Sequence, residues 1–211
     1  MIEIETFTFN PFQENTYLLF DETRECIIID PGCYTIAEKK VLQDFIEEND
    51  LKPVHLINTH CHIDHVLGNK FVCETYDLLP ELNEKELQIL QSTSIYGPSM
   101  GINAEQSPLP EKYLKEGGMV KFGNSALEVV FTPGHCPGEI CLVHKGQKFI
   151  IAGDVLFYGS IGRTDLPGGD YATLISSIKA KLLPLGDDFT VYSGHGPETK
   201  IGLEKRQNPF L

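Results

Sequence analysis

Apolar and polar residues alternate with period two over residues 2–9, a spacing that turns one face of a strand toward a core and the other toward water. A turn at residues 10–15 leads into a second strand over 16–20. Residues 25–29 read as a third, closed by Asp30-Pro31-Gly32. Over residues 35–48 the period changes: Ile36, Val41, Leu42 and Phe45 recur at helical spacing, which predicts a helix lying on the sheet. Residues 54–58 are a short β-compatible apolar run after Pro53, the pattern of a buried strand. Residues 67–76 predict a second helix. Asn83, followed three residues on by Glu86, predicts the boxed start of a third that runs into the nineties.

The pattern weakens over residues 92–118, which mix Gly, Pro, Ser and Met. A loop of that length in a compact domain is usually functional, and a lid or pocket wall is expected. Strand signals return at 119–122, turn at Gly123-Asn124 and continue over 126–131; residues 140–144 then pair with 149–152 across Lys145-Gly146. A helix over 171–182 and a last strand over 189–193 complete the reading. Strands followed by helices, twice over, predict an α+β architecture. Two sheets would pack face to face under outer helices, in a single domain of residues 1–211.

Charge narrows the partners. The formal net charge of −13 argues against nucleic acid, whose backbone needs a basic stripe. It also requires a local cation for any anionic substrate. The N-terminus shows no basic region followed by an apolar one, and no apolar run approaches the ~20 residues of a membrane span. A soluble, cytoplasmic protein is expected, with no membrane partner. Six cysteines, at 26, 33, 61, 73, 136 and 141, contain no Cys-x-x-Cys pair and predict free thiols in a reducing compartment.

The chemistry concentrates in residues 59–68, Thr-His-Cys-His-Ile-Asp-His-Val-Leu-Gly, directly after the buried strand. His60, His62, Asp64 and His65 supply the neutral imidazoles and carboxylate that bind a borderline divalent metal at roughly 2.0–2.2 Å. Read as an extended loop, the segment would put His60, His62 and Asp64 on one side with His65 beside them. Three more strand ends carry possible ligands: His135 after Thr132-Pro133-Gly134, Asp154 after Gly153, and His195 between Gly194 and Gly196. His55 and His144 lie inside strand patterns and are assigned to packing or hydrogen bonding. Cys61 and Cys136 each adjoin a ligand but should point away from it.

The series His60-x-His62-x-Asp64-His65, His135, Asp154 and His195 resembles the ligands of the metallo-β-lactamase-fold hydrolases. That resemblance implies a four-layer αββα sandwich with two divalent metal ions at one edge. His60, His62 and His135 would hold one ion, Asp64, His65 and His195 the other, with Asp154 bridging; Asp30 would support the metal loop. Zinc is the expected ion, although imidazole and carboxylate also suit iron and manganese.

The segment from Asp154 to Asp165 is similar to glyoxalase II and its shorter relatives, as are Asn15-Thr16-Tyr17 and Asn208-Pro209-Phe210. The likeness implies hydrolysis of a small anionic acyl thioester by a hydroxide held between the metals. Asp64 and Asp154 would be the catalytic carboxylates, and Arg163 would receive the substrate carboxylate through its planar fork. Persulfide dioxygenases resemble the chain too, through Gly162-Arg163-Thr164-Asp165, and would use one iron on His60, His135 and Asp154. They usually carry Cys two residues before the Arg, where this chain has Ile161, so that reading ranks second. A lactonase ranks third.

Overall fold

The computed structural model describes all residues, Met1–Leu211, and the chain divides into two compact units. The first comprises Met1–Tyr113 and Lys121–Ala126, the second Leu114–Val120 and Leu127–Leu211.

In the first unit a six-stranded sheet runs in sequence order. β1 (Glu3–Phe9) and β2 (Glu14–Phe20) are antiparallel, with Glu3 opposite Phe20 and Phe9 opposite Glu14. β3 (Glu25–Ile29) pairs antiparallel with β2 and parallel with β4 (Lys52–Ile57), a crossover that needs α1 (Ile36–Glu48) between them. α1 starts where the chain says it should: the Thr35 hydroxyl accepts from Glu38 N at 3.2 Å, and the Glu38 carboxylate accepts from Thr35 N at 2.7 Å. Then follow the short α2 (Ile63–Val66) and α3 (Asn69–Tyr76), β5 (Pro80–Leu82), α4 (Leu87–Tyr96) and β6 (Lys112–Tyr113). Leu18, Ile28, Leu42, Ile46, Leu56 and Val72 share one buried cluster, which seats α1 and α3 on the sheet.

Three expectations are corrected here. Ile63–Val66 is a helical turn and not an extended loop, so Asp64 and His65 point from a helix and His62 is its N-cap. Part of the predicted 92–118 loop is regular structure: α4 reaches Tyr96, a 3-10 turn continues through Gly97–Met100, and Lys112–Tyr113 adds a strand. Asn83 does cap, accepting from Lys85 N at 3.2 Å, but it opens a 3-10 turn over Glu84–Glu86 ahead of α4, and the Glu86 carboxylate accepts from Cys61 N at 2.9 Å.

β7 (Met119–Phe122) and β8 (Ser125–Phe131) meet at a turn that Asp21 holds. Asp21 Oδ2 accepts from Asn124 N at 2.8 Å and Ser125 Oγ at 2.7 Å, and Oδ1 from Thr23 N at 2.9 Å and Thr23 Oγ1 at 2.6 Å. Burial opposes ionisation of this carboxyl, but its four donors outweigh burial and hold the pKa down at about 2, against 3.8. A depressed folded-state pKa contributes stability above the unfolded value and loses it as pH falls through the folded one. Asp21 is 1% exposed, so Asp21→Asn should cost on the order of 2 kcal/mol at pH 6, a gap that closes between about pH 4 and pH 2. Urea unfolding across that range checks it; a gap independent of pH would refute the assignment.

In the second unit the sheet order is β14-β13-β10-β9-β8-β7. β9 (Ile140–His144) and β10 (Phe149–Ile151) form the expected hairpin, and β13 (Thr190–Tyr192) joins β10 in parallel. β11 (Leu156–Phe157) and β12 (Ser160–Ile161) make a small separate hairpin. α5 (Tyr171–Ser177) passes into a π-helical turn over Ile178–Leu182, together matching the predicted 171–182 helix. β14 (Thr199–Lys200) and α6 (Ile201–Gln207) end the chain. Val143, Ile150, Leu174, Ile178, Val191 and Ile201 share its core. No helix is long and apolar enough to cross a membrane.

Candidate metal centre

The first unit carries four of the predicted ligands. Beyond β4 the chain stays buried through Asn58, Thr59 and His60, then turns into α2. Ring centroids lie 4.0 Å apart for His60 and His65, and 5.0 Å for His60 and His62. Asp30 organises this group from the end of β3. Its carboxylate accepts from Thr59 N at 2.7 Å, from Thr59 Oγ1 at 2.5 Å and from His65 Nδ1 at 3.1 Å. The Thr59 hydroxyl, with its hydrogen directed at Asp30, can accept from His60 Nδ1 at 3.2 Å. Both imidazoles thereby hold their proton on Nδ1 and present Nε2 as the electron-pair donor, the arrangement that partners behind a metal ligand enforce.

His65 Nε2 lies 3.8 Å from Asp64 Oδ2. Two ligands of one tetrahedral ion, each about 2.1 Å from it, lie about 3.4 Å apart, so this spacing is nearer to a shared ion than to a hydrogen bond. Asn10 fixes the backbone beneath, its Nδ2 donating to the Gly32 and Asp64 carbonyls at 3.0 Å each. A Cβ at Gly32 would fall 2.7 Å from the Asp64 carbonyl oxygen as well as 2.0 Å from the Glu14 carboxylate, so any side chain there would push on the metal-loop backbone. Glu14 is itself fully buried, which pushes its carboxyl well above the usual range, and it pairs with Thr16 Oγ1 at 3.0 Å.

The second unit carries the other three. Gly134, at φ 139°, packs so tightly that a Cβ would lie 2.3 Å from the Leu174 backbone, and it delivers His135 at the end of β8. His135 Nδ1 donates to the Arg163 carbonyl at 2.7 Å, again presenting Nε2. His135 Nε2 and His195 Nε2 each lie 3.6 Å from Asp154 Oδ2, one carboxylate oxygen flanked by two imidazoles at ligand spacing. Asp154 N donates to the buried Glu139 at 2.7 Å. In both units the donor set, its burial and its tautomers fit divalent metal.

Arg163 sits differently from the expectation for a substrate anchor. Its fork already grips Asp165, with both bonds at 2.7 Å, and it is 61% exposed. That pairing holds the Asp165 carboxyl down at about 2 and raises the guanidinium further. The two strand histidines are hydrogen-bonded as expected. His55 Nδ1 meets Glu81 at 2.6 Å and Nε2 meets Lys121 O at 3.0 Å, while His144 Nδ1 accepts from Gln147 N at 3.1 Å. All six cysteines are buried and none is in a disulfide, and burial keeps the Cys61 thiol well above its ordinary pKa, against a thiolate role for Cys61.

The buried carboxylates Glu14 and Glu139 carry no signal in the sequence, and Glu86 reads there only as part of a helix cap. Nothing local separates a glutamate that holds a metal loop from one that meets water; Glu14, opening the fully buried β2, offers the one hint.

Comparison with known proteins agrees with this chemistry. The profile of the metallo-beta-lactamase superfamily matches residues 9–195. The hydroxyacylglutathione hydrolase GloC of Haemophilus influenzae is 41% identical over 100% of this chain and 98% of its own. Among solved structures, BLEG-1 B3 metallo-beta-lactamase superposes with a TM-score of 0.90 at 33% identity, covering 99% of each chain. TTHA1623, solved in a di-iron-bound form, superposes at 0.88 and 37% identity over 98% of this chain and 100% of its own. The chain is a metallo-hydrolase of the metallo-β-lactamase superfamily and has that superfamily's fold.

Proposed function

We propose that residues 1–211 work as a single domain, in which the two donor sets hold two divalent metals and hydrolyse a small anionic acyl thioester in the cytoplasm. His60, His62 and His135 would hold one ion, Asp64, His65 and His195 the other, and Asp154 both. The observation that carries this is the pairing of Asp154 Oδ2 with His135 and His195 at equal 3.6 Å spacings, which suits a bridging carboxylate. The 41% identity of the full chain to a hydroxyacylglutathione hydrolase supports the substrate class. Zinc is the proposed ion, with iron the competitor because the related TTHA1623 binds it.

Bound metals would lower the pKa of water from about 15.7 toward neutrality and polarise the acyl carbonyl. Asp64 and Asp154 would orient the attacking water and take its proton. Thr59 and Asp30 hold His60 and His65 still while this happens. A departing thiolate, of pKa about 8.5, leaves without prior protonation, so a thioester asks for no separate acid.

The test is a substrate panel: a glutathione acyl thioester, the amide of the same acyl group, a lactone, a β-lactam, and glutathione persulfide with oxygen uptake recorded. The thioester should be cleaved fastest. Oxygen uptake with the persulfide and no thioester cleavage would move the assignment to the dioxygenase. Arg163→Ala belongs in the same assay. If the fork can exchange Asp165 for a substrate carboxylate, the variant should raise KM more than it lowers kcat, by roughly three- to tenfold. That range is lower than a buried fork would reach because Arg163 is exposed and already paired. A neutral thioester should be indifferent; equal losses on both substrates would make Arg163 a support for the loop.

A further inference from the structure

The β11–β12 hairpin joins all three ligands of the second unit. Leu156 O accepts from Ser193 Oγ at 2.8 Å, two residues before His195. The Phe157 ring stands edge-on to the His195 imidazole, with centroids 6.3 Å apart. Just past the hairpin, Gly162 lies so close to Asp154 that a Cβ would fall 1.9 Å from its carbonyl oxygen. The next residue, Arg163, supplies the carbonyl that accepts the hydrogen bond from His135 Nδ1.

A hairpin with two residues in each strand cannot hold itself in water. Its support comes from the end of the chain. Glu204, 1% exposed, accepts from Gly159 N at 3.0 Å through Oε2 and from Thr199 Oγ1 at 2.5 Å through Oε1. Asn208, 6% exposed, donates through Nδ2 to Ser160 O at 2.9 Å and to Glu204 Oε2 at 2.8 Å. Two buried polar side chains thus grip Gly159 at the hairpin tip and Ser160 at the start of β12, and brace each other.

We infer that Glu204 and Asn208 are positioning residues for the metal centre: they fix the β11–β12 hairpin, and through it the orientation of His135 and His195. This gives the C-terminal Asn208-Pro209-Phe210 sequence a task in ligand geometry, executed from the far side of the hairpin. The inference rests on the metal reading above, and not on the thioester.

The test strips the purified full chain of metal, titrates it with cobalt(II) alone, and reads affinity by chelator competition and ligand geometry by d–d absorption. Glu204→Ala and Asn208→Ala should each weaken metal retention by roughly tenfold or more and alter the spectrum. Glu204→Gln keeps an acceptor for Gly159 N and should recover most of both. Asp21→Ala, which loosens a turn in the first unit, is the control; it should lower stability without moving affinity or spectrum. If Glu204→Ala does not fold, Asn208→Ala and Glu204→Gln decide the question. Unchanged cobalt affinity and spectrum in folded variants would overturn the inference. Wild-type protein that takes up no cobalt would overturn the metal reading and this inference with it. Wild-type protein that binds cobalt yet cleaves no thioester would sink only the substrate proposal.

Discussion

Protein reconstituted under mild conditions should carry about two divalent metals per chain, and His60→Ala should abolish turnover while leaving the fold intact. The reason is where His60 stands. It is fully buried at the end of β4, its Nδ1 is committed to Thr59, and it is one of three imidazoles clustered in the first unit. Removing it would delete a proposed ligand, and without the metal the hydroxide available at neutral pH would fall by orders of magnitude, so a loss of about a thousandfold or more is expected. Alanine there removes a ring from a polar pocket, and the sheet beneath keeps its aliphatic cluster. Elemental analysis, circular dichroism and kcat together check the prediction. A single tightly held iron that refuses a second ion would favour the dioxygenase; full turnover in His60→Ala would remove this residue from the site.

Asp30 should separate folding from metal binding. Asp30→Ala leaves three donors in a buried setting without their acceptor, a change that costs about 3–5 kcal/mol. It also places alanine at φ 49°, a left-handed backbone that adds about 1 kcal/mol or more. Soluble yield and the urea midpoint should both drop steeply. Asp30→Asn is gentler on the fold, because asparagine tolerates that backbone and its oxygen can still accept from Thr59 N. Its amide nitrogen, however, would face His65 Nδ1 and press that ring toward the other tautomer. The folded variant should therefore lose metal, most readily the ion assigned to Asp64, His65 and His195. Two retained metals and ordinary turnover in Asp30→Asn would show that the tautomer of His65 does not matter.

How much of this was legible beforehand depended on segment length and on where each partner lay. The capped start of α1 could be read because Thr35 and Glu38 answer each other within one turn. Asn83 and Glu86 show the same signature, yet Glu86 also accepts from Cys61 N, a partner twenty-five residues away that no local pattern reveals. β5, β6, β11, β12 and β14 are two or three residues long, too short for a period of two to register. α2 was hidden by its own chemistry, since His62, Asp64 and His65 broke the apolar spacing that marks a helix. The candidate ligands were visible because histidine is scarce, with seven in the chain. The residues that aim them, Glu139 and Glu204 among them, were not, because glutamate is common and its burial is a tertiary property.

The burial of every thiol has a practical consequence. Cys26, Cys33 and Cys73 sit in the core of the first unit with pKa values pushed up to about 12, and Cys141 lies in the core of the second with its own pushed higher still. A thiol that is neither accessible nor ionised does not alkylate, so each one reacts only when the structure around it opens. The protein therefore contains its own clocks, one set in each unit. Mass spectrometry of peptides alkylated over time would time the two units independently, with no introduced label, and would show which lets go first when metal is withdrawn.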